Sequence, residues 1–188
     1  MINFEELLIK RRSIRKYTEE KVPDETLMKI IEDAACAPSS GNEQPWKFIV
    51  VKNKSLMKKI SDDAKASLLA RISKNPDDYA KKYENMFLNE SFNIFYNAPA
   101  LVFIIGDKSL KNTVINCTIA ATYLMMSAVN NGLGTCWINF ATAITSQKLL
   151  NELGISKNDI IVAPIIIGYP DGIPDMPDRK KIEIINID

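Results

Sequence analysis

The sequence predicts one domain of mixed helix and strand spanning residues 1–188, and three observations carry that expectation. Apolar residues recur at the helical period in several segments, and short continuous apolar runs stand between them. A content of 46% hydrophobic and 25% charged residues over 188 positions suits a chain with a sizeable core.

The first segment reads as a helix, with Asn3 as its cap, Glu6 three residues on, and Phe4, Leu7 and Leu8 as an apolar face. Residues 24–36 repeat the pattern through Leu27, Ile30, Ile31, Ala34 and Ala35, with Asp24 near the cap. Phe48 to Val51 forms a short buried strand. Residues 55–73 form a lysine-rich surface helix with Leu56, Ile60, Ala64 and Leu68 inward, broken at Asn75-Pro76-Asp77. The aromatics of residues 78–96 follow no single face, so this excursion reads either as cover over a site or as peripheral packing. Residues 101–106 read as a central strand. Residues 112–130 are apolar on most sides and therefore need burial on most sides, inside the chain or through the middle of a dimer. Residues 133–138 return as a strand, 146–153 as a short helix, and 160–168 as a strand interrupted by Pro164. Ile182, Ile184, Ile185 and Ile187 give the tail an apolar character that needs a surface, such as a sheet edge.

Charge and composition exclude several function classes. A net charge of +1, from 24 basic and 23 acidic residues, gives no broad positive field for nucleic acid or an anionic membrane. The longest apolar stretches read as too short or too rich in Ser and Thr to span a bilayer, and the acidic N-terminus is unlike a signal peptide, so a cytoplasmic protein is expected. Cys36, Cys117 and Cys136 lie far apart and form no CxxC, which leaves them as small core residues without a disulfide or thiolate metal site. There is no histidine. That removes Ser-His-Asp and Cys-His catalysis, His-ligated metals and imidazole acid-base chemistry together, and points to chemistry carried by a bound group.

Two polar clusters stand out. Residues 10–16 hold five cations, and Arg11, Ser13 and Arg15, alternating in extended chain, point to one side, as a phosphate or an electron-rich ring oxygen requires; a helix C-terminus favoured by its dipole is the structural alternative. Between Pro38 and Pro45, Ser39, Ser40, Asn42 and Gln44 offer donors and acceptors suited to a heteroaromatic edge or an anion, in a loop whose composition also suits a plain turn.

Arg11-Arg12-Ser13-Ile14-Arg15, the stretch from Pro38 to Trp46, Gly132-Leu133-Gly134-Thr135-Cys136-Trp137-Ile138 and Gly168-Tyr169-Pro170, taken in order, resemble the FMN-dependent nitroreductase family over nearly the whole chain. The resemblance implies an α+β fold with a central mixed sheet flanked by helices, in an intertwined homodimer whose C-terminal segment reaches the other subunit. It implies FMN at the interface: Arg11 on the phosphate, Arg12 and Ser13 beside it, and Arg15 at the N1 and C2 edge of the ring. Pro38, Ser39, Ser40 and Asn42 of the other subunit would line the flavin, Trp137, Ile138 and Asn139 would run along the ring, and the Asn139 amide would donate to N5. Arg179, or Lys180 beside it, matches the late phosphate-binding cation. Where many relatives have glycine, Asn139 and Phe140 follow Trp-Ile, which alters the substrate pocket.

The chemistry agrees with that placement. Reduced flavin carries negative charge near N1, which a cation such as Arg15 stabilises, and a donor at N5 tunes hydride acceptance without any protein nucleophile. The resulting expectation is a ping-pong oxidoreductase that takes hydride from NADH or NADPH and reduces a nitroaromatic, a quinone or a similar small-molecule acceptor. With no GxGxxG after a strand, the nicotinamide cofactor would bind only transiently. Reductive dehalogenation or flavin fragmentation on the same fold, an FMN-binding module without turnover, and a dimeric scaffold are the alternatives.

Overall fold

Asparagine caps open two of the helices. In the computed structural model, which describes residues 3–187, Asn3 accepts from the Glu6 amide at the start of α1 (Phe4–Lys10), and Asn53 accepts from the Leu56 amide at the start of α3 (Lys54–Lys74). The remaining elements are α2 (Asp24–Ala35), β1 (Trp46–Val51), α4 (Glu84–Leu88), β2 (Ala100–Asp107), α5 (Thr113–Asn130), β3 (Gly134–Trp137), α6 (Gln147–Glu152) and β4 (Asp159–Gly168). The strands form one sheet in the order β1-β2-β4-β3. Every pairing in it is antiparallel, which corrects the mixed sheet that was expected; the parallel contact is a single bridge from Ser13 to Thr135 at the β3 edge.

Strand alternation splits the core into two layers. Leu101, Phe103 and Ile105 of β2 face Met57, Ile60 and Ala64 of α3, together with Phe95. Val102 and Ile104 face the other way, onto Leu27, Ile30 and Ala34 of α2 and Cys117, Ala121 and Leu124 of α5. Each such Leu or Ile, fully withdrawn from water, contributes about 1.5–3 kcal/mol.

Pro164 lies inside β4, which is a central strand. Its carbonyl accepts from the Ile138 amide at 2.8 Å, but it has no N–H to return the bond, and β3 stops at Trp137. The chain then leaves the sheet as a 3-10 turn, Asn139–Ala143.

Within one chain helix α5 is not buried all round: Val114, Ile115 and Tyr123 are exposed on its outer face. Its 18 residues, with a mean hydropathy of 1.2, meet the length and composition of a membrane span, yet half of them are buried against the sheet and α2. The apolar side chains of α1 are uncovered, with Phe4, Leu8 and Ile9 exposed, and residues 171–187 carry no helix or strand and lie on no edge of this sheet. Cys36 is exposed; Cys117 and Cys136 are buried as expected.

Candidate functional site

After α1 the chain runs extended along β3. Ile14 N–H donates to the Thr135 carbonyl at 2.9 Å, and Thr18 N–H to the Tyr169 carbonyl at 3.0 Å. Extended geometry sends alternate side chains to opposite sides. Arg12 and Ile14 are buried, while Ser13 and Arg15 are exposed and Arg11 is half-buried. Arg12 is thus separated from the other two arginines: its Nη2 donates to the Leu8 carbonyl at 3.1 Å, and it lines a cavity of about 210 Å³ with Lys10 and Val129.

Arg11, Arg15 and Arg179 enter no ion pair among the described residues. Burial lowers the Arg11 pKa, and the neighbouring charges of Arg12 and Arg179 lower it further. The Arg179 charge, on the tail, thus acts on Arg11 in the same sense as that of Arg12. Such a donor set fits a phosphate dianion, which would remove the repulsion and accept from both guanidiniums.

Arg15 places its Cζ 5.8 Å from the centre of the Tyr96 ring. Tyr96 and Asn97 both have left-handed backbones, with φ of 52° and 56°, a local strain of the kind found beside functional sites. Arg15, Tyr83, Tyr96, Ile138, Asn139 and Phe140 line a cavity of about 290 Å³, roofed by the excursion. Burial pushes the Cys136 thiol pKa up, opposed by the charges of Arg15 and Arg11 and by Ser13.

The second cluster lies elsewhere. Pro38, Ser39, Ser40 and Asn42 precede β1, at the opposite edge of the sheet from β3. Three strand spacings of about 4.8 Å separate the two edges. The loop is held by α5: Ser40 N–H donates to Asn116 Oδ1 at 3.1 Å, Asn112 Nδ2 to Ser40 Oγ at 3.0 Å, and Asn116 Nδ2 to Glu43 at 3.3 Å. Gly41, Asn42 and Gln44 all have positive φ.

Sequence reading passed over Asn112 and Asn116 in this role, and also Tyr96. The legible signal was two asparagines one turn apart at the head of an otherwise apolar helix. A larger cavity of about 750 Å³ lies between α5, α6 and β4; it meets the arginine site only along Trp137, Asn139 and Thr142.

The sequence pattern of the Nitroreductase family matches residues 8–169. The chain belongs to the nitroreductase family. It is 30% identical, over 87% of its own length and 83% of the other's, to an Archaeoglobus fulgidus protein provisionally named NADH dehydrogenase/NAD(P)H nitroreductase. It is 29% identical to the iodotyrosine deiodinase of Hydra vulgaris, over 91% of this chain and 66% of the deiodinase. A nitroreductase with bound FMN from Bacteroides fragilis superposes with a TM-score of 0.84 at 22% identity, covering 99% of this chain and 100% of that one, which establishes a shared fold. The family member described here is a flavin oxidoreductase with an open antiparallel sheet flanked by helices.

Proposed function

We propose that residues 1–188 form a single FMN-binding domain that takes electrons from NADH or NADPH and passes them, by turns at one site, to nitroaromatic, quinone or similar electron-poor acceptors. The observation that carries this reading is the set of cations without carboxylate partners among the described residues: Arg11 and Arg15 on the strip beside the Trp137-Ile138-Asn139 turn, and Arg179 on the tail. FMN would supply the hydride and electron chemistry. Arg11, Arg179 and Ser13 would hold its phosphate. Arg15, steadied by Tyr96, would face the N1 and C2 edge and favour negative charge there. Asn139 begins a 3-10 turn, so its N–H has no acceptor within that turn and is free to donate to N5. The excursion over the cavity would exclude water from the reacting edge.

A second copy of the chain would complete the site. Pro38, Ser39, Ser40 and Asn42 stand at the far sheet edge of their own chain, and exposed apolar side chains on α1, α5 and the tail need cover. Ile182, Ile184, Ile185 and Ile187, between 76% and 92% exposed, are suited to lie on the partner.

The test is the anaerobic visible spectrum of the purified protein before and after NADH and then NADPH. Flavin bands that bleach with either nucleotide are expected. Flavin that binds and stays oxidised would replace this reading with a binding module; no uptake of added FMN would end it. The 29% identity to a deiodinase favours one second reading, reductive dehalogenation, for which release of halide from a halogenated phenol is the readout.

A further inference from the structure

The 290 Å³ cavity is walled by aromatic rings from two distant parts of the chain. Phe140 is their junction. Its ring stands edge-on to Tyr83, with centroids 5.1 Å apart, and to Phe87, 5.0 Å apart. Tyr83 and Phe87 belong to the excursion, whose far end is clamped by α3: the buried Lys65 ammonium donates to the carbonyls of Asn89 and Phe92 at 3.0 and 2.9 Å, and Ser61 Oγ accepts from the Ile94 amide at 3.1 Å. With that end fixed, the height of the excursion over Ile138 and Asn139 depends on what fills the space at position 140. A smaller residue there removes both edge-to-face contacts and the ring that closes the cavity.

We infer that Phe140 is a specificity-determining residue that restricts the acceptor to electron-poor compounds with a single aromatic ring and rejects fused-ring ones. This rests on the proposed flavin reading and names the substrate class of that site. The lining points the same way: the Phe140 ring takes up space beside Ile138 and Asn139 that a fused-ring acceptor would need. The cavity walls are electron-rich, with Tyr83, Tyr96 and Phe140 offering π faces and edges to an electron-poor ring. Arg71, also at the lining, is paired with Asp78 at 2.7 Å, which leaves Arg15 as the lining cation without a carboxylate partner among the described residues.

The experiment compares wild type, Phe140→Ala and Phe140→Leu, each loaded with FMN. Nitrobenzene and 1-nitronaphthalene serve as probes. Binding is read from perturbation of the flavin bands, and turnover from nucleotide oxidation. Wild type should favour nitrobenzene, and Phe140→Ala should move the ratio of kcat/KM, and the ratio of dissociation constants, towards 1-nitronaphthalene by about tenfold or more, the effect expected when pocket volume changes by several methylenes. Phe140→Leu should move both ratios the same way by less. Ratios that stay at the wild-type value in the Ala variant overturn the inference. If that variant loses flavin, the Leu variant decides in the same manner. A wild-type protein that binds both probes selectively but never reduces its flavin would sink the oxidoreductase reading while leaving the size restriction standing.

Discussion

Ile14 occupies the space that a side chain on Gly134 would need. A Cβ built on Gly134 would stand 2.5 Å from Ile14 Cγ1 and 2.9 Å from its Cβ. Gly134 faces Gly168 across the β3–β4 pair, and a Cβ on Gly168 would meet Tyr17 at 2.7 Å. The two glycines therefore form a shallow groove in which the arginine strip seats, and the seat sets where Arg11, Ser13 and Arg15 point.

Gly134→Ala should accordingly lift the strip. The cost is about 1–3 kcal/mol of stability, the usual range for overpacking, with loss of FMN affinity alongside. Ile14→Ala added to Gly134→Ala should recover part of both. Thermal melts and flavin titrations of the single and double variants check this; a Gly134→Ala protein with wild-type values in both would mean that the groove does not position the strip.

Arg11 and Arg179 repel each other until an anion intervenes, which separates two kinds of ligand. Arg11→Ala and Arg179→Ala should each weaken FMN roughly tenfold to a hundredfold, as hydrogen bonds to charged groups are worth about 1.5–3 kcal/mol. Riboflavin, which has no phosphate, should bind these variants as it binds wild type. Lys180→Ala should leave FMN affinity unchanged. An effect on riboflavin equal to that on FMN would show that these arginines act on something other than the phosphate.

Much of this arrangement was legible because it is local. Asn3 sits at a cap position, the apolar spacing of α2 and α3 is helical, and the alternation of Arg11, Ser13 and Arg15 follows from extended chain. The rest depends on partners far along the chain or outside it. The aromatics of residues 78–96 share no single face because Tyr83 and Phe87 pack on Phe140, more than fifty positions later, while Phe92 and Tyr96 pack on each other. Phe4, Leu8 and Ile9 obey the helical rule and stay exposed, since nothing in one chain covers them. Pro164 reads as a strand breaker, yet the strand it breaks is its neighbour β3.

The Ser39–Ser40 loop depends on Asn116, which is 1% exposed and joined to both Ser40 and Glu43. Asn116→Ala leaves the Ser40 N–H to water, at a cost of about 0.5–1.5 kcal/mol, in a loop already strained by the positive φ of Asn42 and Gln44. Asn116→Asp keeps the acceptor but sets a second carboxylate against Glu43. Both variants should lose FMN affinity. Flavin titration measures this, and an affinity indifferent to position 116 would detach the loop from the cofactor.

Asp159 supplies the pH dependence. It opens β4 directly opposite Asp107 of β2, an unfavourable pairing that Lys47 on β1 relieves with a bond of 2.8 Å to Asp159. Burial alone would raise the Asp159 pKa, but the hydrogen bonds from Lys47, the Ser156 hydroxyl at 2.7 Å and the Ser156 amide at 2.9 Å outweigh it, and the net shift is downward. A carboxylate held below its unfolded value stabilises the fold fully at neutral pH. That contribution is lost as pH falls from the ordinary value of about 3.9 through the lowered one. Asp159→Asn should therefore lower stability at pH 7 by about 1–3 kcal/mol, and the gap to wild type should narrow progressively below about pH 4. Urea midpoints of the two proteins between pH 7 and pH 3 measure the gap. A difference that stays constant over that range would mean that Asp159 contributes by packing and not by charge.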